Sequence, residues 1–224
     1  VARADVIIEA IFENVDAKRS LFAALEKRAR PGAILATNTS SIPLEDIASA
    51  MGDPTRLIGL HFFNPVPKMM LVEIVQGRQT RADLTPAAAA FVRQIDRLPL
   101  PVKSAPGFLV NRVLAPYLMT AMRCVDEGIA PETVDEAALA FGMPMGPIEL
   151  ADTVGLDICM AVGKMLSPGV EPPAKLKALV DAGQLGAGAL AGNSQGVSFF
   201  PASGDGRLIA STPFAVSLVY VMYS

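Results

Sequence analysis

Apolar residues follow two different periods along this chain. In the first half, short apolar runs with the character of buried strands alternate with segments of helical periodicity. The predicted strands cover residues 6–8, 33–37, 57–61, 71–75 and 98–102, and the predicted helices cover residues 15–28, 41–51 and 85–97. This alternation is typical of βαβ units around a parallel sheet, so we expect an α/β domain over residues 1–103.

The second half contains helical patterns without an intervening strand. A long apolar segment from Gly107 predicts a helix that is kinked at Pro116 and stops at Gly128. The further predicted helices cover residues 131–141, 147–154, 156–166 and 173–182. We therefore expect an all-α domain over residues 104–186. Residues 187–224 show little periodicity, and we expect this tail to be poorly ordered.

Composition narrows the possible classes of protein. The 224 residues are 51% hydrophobic and 18% charged, enough to bury a substantial core. The net charge of −3 and the scattered Lys and Arg residues argue against a nucleic-acid surface. Cys124 and Cys159 lack metal-site or CxxC spacing and are predicted to be reduced core thiols. No signal peptide and no apolar run long enough to span a bilayer is visible, and the start at Val1 suggests a truncated chain.

His61, the only histidine, is the first candidate for chemistry. Imidazole has an unperturbed pKa of about 6.5, which suits proton transfer near neutral pH. Glu73 follows on the next predicted strand, after the proline-stiffened loop 64–67. If the loop brings the two side chains together, the carboxylate would fix the tautomer of the imidazole and stabilise its protonated form. On spacing alone, a satisfied structural histidine and a solvated strand glutamate are the commoner alternatives.

Several longer motifs carry more information than the spacing of His61 and Glu73. The segments EAIFENVDAK, ATNTSS, GLHFFNPVPKMMLVE, APGFLVNRVLAPYL and GMPMGPIELADTVGLD occur in the order found in L-3-hydroxyacyl-CoA dehydrogenases. The chain resembles this family over about residues 4–186, and its last motif resembles most the dehydrogenase part of multifunctional fatty-acid β-oxidation proteins. The resemblance implies an N-terminally truncated Rossmann-type α/β domain followed by an all-α domain. It also implies oxidation of an L-3-hydroxyacyl-CoA to the 3-ketoacyl-CoA with NAD as the hydride acceptor.

The resemblance assigns roles to four residues that are expected in a cleft between the domains. His61 matches the catalytic base and Glu73 the carboxylate that orients it. Ser40 and Asn111 match a serine and an asparagine that contact the substrate near the reacting oxygen. Two neutral donors would stabilise developing negative charge there. On sequence alone, a turn residue at Ser40 and a helix cap at Asn111 remain the alternatives.

The same resemblance places Glu13, Lys18 and Asn64 in contact with NAD. The alternatives are a first-turn acid that favours the helix dipole at Glu13 and a solvated lysine at position 18. The chain departs from the family in having no Gly-x-Gly-x-x-Gly before Val6, the turn that holds the dinucleotide pyrophosphate. A sheet that lacks that first unit is expected to expose an open edge and to bind NAD poorly.

The resemblance further implies an acyl-CoA substrate and a homodimer through the helical domain, or a place in a multifunctional β-oxidation complex. It implies a cytoplasmic location in a bacterium, or a mitochondrial or peroxisomal one in a eukaryote. The sequence leaves two other functions open: a non-catalytic structural relative of the lens type, and a Rossmann dehydrogenase for small hydroxy acids. The tail from residue 187 does not resemble the family, and a shifted reading frame is one hypothesis for it.

Overall fold

The computed structural model describes residues 2–64, 66–186 and 216–219. Its chain divides into an α/β unit, which runs through Leu109 and includes the strand at residues 216–219, and a helical unit that starts at Val110. The strands are β1 Val6–Glu9, β2 Ile34–Thr37, β3 Leu57–Phe62, β4 Leu71–Gln76, β5 Leu98–Lys103 and β6 Val216–Val219. The helices are α1 Val15–Arg28, α2 Leu44–Ala48, α3 Leu84–Gln94, α4 Val110–Asp126, α5 Pro131–Phe141, α6 Pro147–Val154, α7 Leu156–Leu166 and α8 Ala174–Asp181.

The α/β unit is built on a six-stranded sheet in the order β5-β4-β3-β2-β1-β6. The predicted all-parallel sheet is wrong in one respect: β4 runs antiparallel to β3, whereas the other neighbouring pairs are parallel. The connection at residues 63–70 explains this, because a parallel crossover requires a dozen or more residues. Strands β3 and β4 therefore form a hairpin-like pair. A crossover through α3 then connects β4 to the parallel strand β5.

Both faces of the sheet are covered, which explains the continuous apolar runs of its central strands. Along β1, Ile7 belongs to the cluster that includes side chains of α1 and α2, while Val6 and Ile8 belong to the cluster of α3. The same alternation along β3 places Leu57 in the first cluster and Leu60 in the second. By this period of two, odd-numbered residues of β3 face the α1 and α2 side.

The outer edge of β1 is paired, contrary to the expectation of an open edge. Val216–Val219 lies beside β1 as a parallel strand, with Val6 opposite Val216. Parallel pairing satisfies backbone groups that an edge strand would otherwise present. The expectation of a poorly ordered tail otherwise concerns residues 187–215 and 220–224, which lie outside the described residues.

Helix boundaries follow local capping chemistry. Asn14 is the N-cap of α1, and its side chain accepts a hydrogen bond from the N–H of Ala17 at 2.9 Å. Helix α2 is shorter than predicted, and α3 ends at Gln94, where Asp96 follows with a left-handed φ of 56°. Helix α4 begins three positions later than predicted from Gly107 and keeps Pro116 within its length.

The helical unit has a core shared by α4, α6, α7 and α8. Two carboxylates hold its helices in register. Asp135 of α5 accepts bonds from the N–H groups of Ile148 and Glu149, and Asp126 accepts them from Ala174 and Lys175. These aspartates therefore act as caps supplied by another helix. Within the described residues, no helix combines the length and the apolar character needed to cross a membrane.

Candidate active site

His61 and Glu73 meet across the antiparallel strands β3 and β4. They are directly opposed in the strand register, and His61 Nδ1 lies 2.7 Å from Glu73 Oε2. Both groups are buried, with side-chain exposures of 7% for His61 and 0% for Glu73. Gly59 permits this close strand approach, because a Cβ at that position would lie 2.6 Å from Cβ of Val75. The proline-containing loop thus returns the chain so that the predicted pair converges.

The bond between these two groups assigns the imidazole tautomer. A carboxylate can only accept, so the shared proton belongs to Nδ1, and Nε2 keeps its lone pair. This assignment follows from the hydrogen-bond pattern. A histidine held in this form can take a proton at Nε2 and is stabilised by Glu73 when it does.

The second oxygen of Glu73 is also occupied. Its Oε1 accepts a hydrogen bond from the backbone N–H of Leu109 at 2.9 Å. The aromatic rings of Phe63 and Phe108 lie beside the imidazole, with centroid distances of 4.4 and 5.7 Å. Sequence reasoning missed these neighbours, because contacts between the end of β5 and the β3–β4 pair depend on the tertiary fold.

Ser40 lies after β2 and is bound to Glu13. Glu13 Oε1 accepts three bonds, from Thr39 Oγ1 at 2.7 Å, Ser40 N at 2.7 Å and Ser40 Oγ at 3.0 Å. The Ser40 hydroxyl therefore directs its proton towards Glu13 in this arrangement. To act as the predicted donor to a substrate oxygen, it would have to turn that proton away from the carboxylate.

Lys18 is buried, and the alternative of a solvated lysine is wrong. Its side chain is 1% exposed, with Nζ 2.7 Å from Glu9 Oε1 and 3.4 Å from Glu13 Oε2. Glu9 is fully buried and also accepts bonds from Thr37 Oγ1 and from the N–H of Ile11, each at 2.7 Å. Sequence reasoning missed Glu9, although a carboxylate that ends a strand of otherwise apolar residues is a signal that could have found it.

One hydrogen bond joins the segment of Ser40 to the strand of His61. The N–H of Phe62 donates to Asn38 Oδ1 at 2.8 Å. Because β2 and β3 are parallel neighbours, the residues after β2 and the last residues of β3 lie at the same edge of the sheet. Ligands of open α/β sheets bind outside this carboxyl edge. The predicted residues of the α/β unit thus form two groups at one edge, His61 with Glu73 and Glu13 with Lys18 and Ser40.

Two further predicted site residues are Asn64 in the α/β unit and Asn111 in the helical unit. Asn64 is exposed in the loop that follows β3. Asn111 lies in the first turn of α4 in the helical unit, where it is half-buried and lines a shallow groove with Leu118 and Ile158. Its placement agrees with a residue near a helix start, as the sequence indicated.

Glu13 and Lys18 differ in how they fit the predicted cofactor, NAD. Glu13 fits a contact with ribose hydroxyls, because its carboxylate is at the carboxyl edge and its side chain is 39% exposed. Lys18 does not fit a direct contact in this conformation, because its ammonium group is enclosed by Glu9, Glu13 and the carbonyl oxygen of Ile11. It would serve the cofactor by holding Glu13.

Two family models match the chain in the order of its units. Residues 1–105 match the NAD binding domain of 3-hydroxyacyl-CoA dehydrogenase, and residues 107–195 match the C-terminal domain of the same enzyme. The second match extends past residue 186, where the predicted helical domain ends. These matches confirm the predicted fold class, the predicted family and the predicted cofactor, NAD.

Individual relatives agree. The chain is 42% identical over 193 residues to a probable 3-hydroxybutyryl-CoA dehydrogenase of Deinococcus radiodurans, covering 83% of this chain and 69% of the relative. It resembles the crystal structure of (S)-3-hydroxybutyryl-CoA dehydrogenase from Ralstonia eutropha with a TM-score of 0.76 and 39% identity, covering 82% and 67% of the two chains. It also resembles the dehydrogenase part of multifunctional enzyme 1 from C. elegans, with a TM-score of 0.56, 31% identity and coverages of 83% and 43%.

The chain thus spans 69%, 67% and 43% of the length of these three proteins. The matches include 3-hydroxybutyryl-CoA dehydrogenases and the dehydrogenase part of a multifunctional enzyme, the kind of protein that the last motif resembled most. The agreement covers both units and includes the strands that carry His61 and Glu73. The chain therefore belongs to the 3-hydroxyacyl-CoA dehydrogenase family.

Proposed function

We propose that this chain carries the proton-transfer part of an NAD-dependent oxidation of an L-3-hydroxyacyl-CoA to a 3-ketoacyl-CoA. The observation that supports this most is the buried bond of 2.7 Å between His61 Nδ1 and Glu73 Oε2. It leaves Nε2 as the basic atom of the imidazole. A purely structural histidine would not need a fully buried carboxylate with both oxygens engaged.

In the proposed reaction, His61 Nε2 takes the proton of the 3-hydroxyl group. The C–H bond at the same carbon breaks with its electron pair, and a ketone forms. Bound NAD would supply the acceptor for that hydride. Glu73 stabilises the imidazolium that results, and base assistance of this kind contributes about 10²–10⁴ in rate.

Ser40 and Asn111 are proposed to bind the substrate at its reacting oxygen. Asn111 offers an amide N–H₂ donor, and Ser40 becomes a donor when its hydroxyl turns from Glu13. Neutral donors stabilise negative charge that develops on oxygen without opposing the charge on the imidazolium. The Ser40 hydroxyl therefore donates either to Glu13 or to the substrate oxygen, but not to both at once.

Glu13, Lys18 and Asn64 are proposed to serve the cofactor. Glu13 would accept from ribose hydroxyls, and Lys18 would fix the position of Glu13 through the ion pair at 3.4 Å. Asn64 is exposed beside the end of β3 and is open to a contact. No Gly-x-Gly-x-x-Gly precedes Val6, so the pyrophosphate contact that this turn supplies elsewhere is not provided by residues 1–5.

A short acyl chain is the proposed substrate class, because the relative from Deinococcus radiodurans is named for 3-hydroxybutyryl-CoA. A homodimer through the helical unit is proposed from its apolar surface, where Phe141 is 89% and Val113 68% exposed. Sedimentation velocity would test the dimer, and a monomer at micromolar concentration would oppose it. A cytoplasmic location is proposed from the bacterial relative.

The test of this function is NADH formation from L-3-hydroxybutyryl-CoA, measured on the natural polypeptide that carries this chain. We expect the D-isomer to be inactive and acetoacetyl-CoA to compete with the substrate. Oxidation of small hydroxy acids that lack CoA, without inhibition by acetoacetyl-CoA, would favour the small-substrate dehydrogenase. A folded protein that oxidises neither L-3-hydroxybutyryl-CoA nor small hydroxy acids would favour the non-catalytic relative.

A further inference from the structure

The turn that follows β5 ends on the carboxylate partner of His61. We propose that Phe108 is a positioning residue, whose buried ring holds a left-handed turn so that the next backbone N–H fixes Glu73. The proposal rests on the proposed function in that His61 is the base whose geometry is controlled. Phe108 acts on the position of that base through the turn and Glu73.

The backbone at Phe108 adopts a conformation that bulky L-residues rarely adopt. Its φ is +50°, and it follows Gly107 at +71°, so two left-handed residues occur in succession. A left-handed residue other than glycine is strained, because its Cβ approaches a carbonyl oxygen. Such a conformation persists only where surrounding contacts hold it, and these contacts often occur at functional sites.

Two contacts hold Phe108 in this conformation. Its side chain is 2% exposed and belongs to the core cluster that contains Ile7 and Leu44. Its N–H donates to the carbonyl oxygen of Ala105 at 2.9 Å, which closes the turn. Burial of the aromatic ring is favourable and offsets the backbone strain.

The left-handed residue directs the next N–H inward. Leu109 N donates to Glu73 Oε1 at 2.9 Å, while Glu73 Oε2 is bonded to His61 Nδ1 at 2.7 Å. A fully buried carboxylate is costly unless its oxygens are hydrogen-bonded, so the Leu109 N–H restrains it strongly. The ring of Phe108 also lies 5.7 Å from the imidazole, tilted by 60°.

These contacts form one path from the core to the imidazole. The ring fixes the turn, the turn fixes the direction of the Leu109 N–H, and that N–H limits the motion of Glu73. A merely space-filling phenylalanine would affect stability without affecting the imidazole. Phe22 offers that comparison, because it is fully buried in the same core cluster and has no ring contact with His61 among those described.

The single histidine of the chain makes a direct test possible. In ¹⁵N-labelled protein, the Nδ1–H signal of His61 reports its bond to Glu73 without overlap from another imidazole. Hydrogen exchange at the Leu109 amide, relative to the amide of Ile74 in β4, reports the turn. We expect Phe108→Leu and Phe108→Gly to accelerate Leu109 exchange at least tenfold relative to Ile74 and to broaden the His61 signal. Phe22→Leu should leave both readouts as in the wild type.

Folded Phe108 variants with wild-type exchange and an unchanged imidazole signal would overturn the proposal. The same two changes in Phe22→Leu would also overturn it, because the effect would then follow from core stability. Glycine adopts the left-handed turn without strain, and leucine keeps the apolar bulk. A failure of one variant to fold therefore need not extend to the other. Neither readout requires turnover, so an inactive wild type would contradict the proposed function without deciding this inference.

Discussion

Lys18 Nζ lies 2.7 Å from Glu9 Oε1, and the two side chains are only 1% and 0% exposed. Removing one member of a buried ion pair leaves an uncompensated charge, which costs about 3–5 kcal/mol. We therefore expect Lys18→Met to lower the free energy of unfolding of the α/β unit by about that amount. Urea denaturation followed by circular dichroism measures it.

Arg19→Met is the matched control for that variant. Arg19 follows Lys18 in α1, and its ion pair with Asp16 is largely open to solvent. Exposed pairs contribute about 0–1 kcal/mol, so this variant should unfold close to the wild type. Equal effects of the two substitutions would contradict the assigned importance of the buried pair.

His61→Gln tests the proposed base. Glutamine keeps a polar side chain of similar reach but cannot take the proton of the substrate hydroxyl. We expect kcat to fall by about 10²–10⁴, with the dissociation constant for NAD within a factor of about two of the wild type. Steady-state kinetics and calorimetric titration with NAD provide the two measurements. Near-normal turnover would refute the assignment.

Glu73→Gln tests the carboxylate separately from the base. The amide oxygen can still accept from the imidazole, and the side chain fills the same buried space. The amide NH₂ cannot accept from the Leu109 N–H, and the side chain carries no charge to stabilise the imidazolium. We expect kcat to fall at least about tenfold, with a smaller change in KM. Glu127→Gln, in the exposed turn directly after α4, controls for the loss of one carboxylate. Equal kcat values in the two variants would remove Glu73 from the mechanism.

Glu45 should make unfolding depend on pH. Burial raises the pKa of this carboxyl group, but hydrogen bonds from the N–H of Arg78 and the hydroxyl of Ser104, with the charge of Arg78, outweigh burial and hold the pKa below its usual value. Because the folded state then binds its proton less readily than the unfolded state, the stabilisation is present above about pH 5 and is lost as the pH falls. We expect Glu45→Gln to flatten the decline of the unfolding free energy between about pH 5 and 3. An unchanged acid slope would contradict this.

Cys159 should resist alkylation in the native protein. Burial, together with the nearby carboxylate of Asp157, raises the pKa of its thiol to about 12. Only the thiolate reacts, so native Cys159 should react with iodoacetamide at least about tenfold more slowly than Cys124, which is half-buried. Mass spectrometry of labelled peptides measures both sites. After denaturation in urea, the two rates should become similar.

The sequence supported the convergence of His61 and Glu73, because both features that produce it are local. Apolar runs on either side of prolines predict two strands and a short return, and the strand period places the two side chains on one face. The direction of β4 was not deduced, although the short connection to β3 contained that information. Strand patterns show which face a residue occupies but not how neighbouring strands run.

The environment of Lys18 and the role of Leu109 could not be obtained in this way. Lys18 is buried because Glu9, nine positions earlier, ends a strand against which α1 packs, and helical periodicity alone does not record this. The bond from Leu109 to Glu73 spans 36 positions and involves a backbone group, which has no residue signature. Contacts that depend on backbone direction after a turn require the folded chain.

The opposed register of His61 and Glu73 makes the geometry of this proposed catalytic pair independent of the length of the loop that joins their strands. Deletions or insertions between Phe62 and Leu71 leave the pairing intact as long as the strands still meet at the same residues. A single inserted residue inside either strand would instead turn one side chain to the opposite face of the sheet. A change in loop length would therefore alter the segment beside the carboxyl edge of the sheet without changing the register that opposes His61 and Glu73.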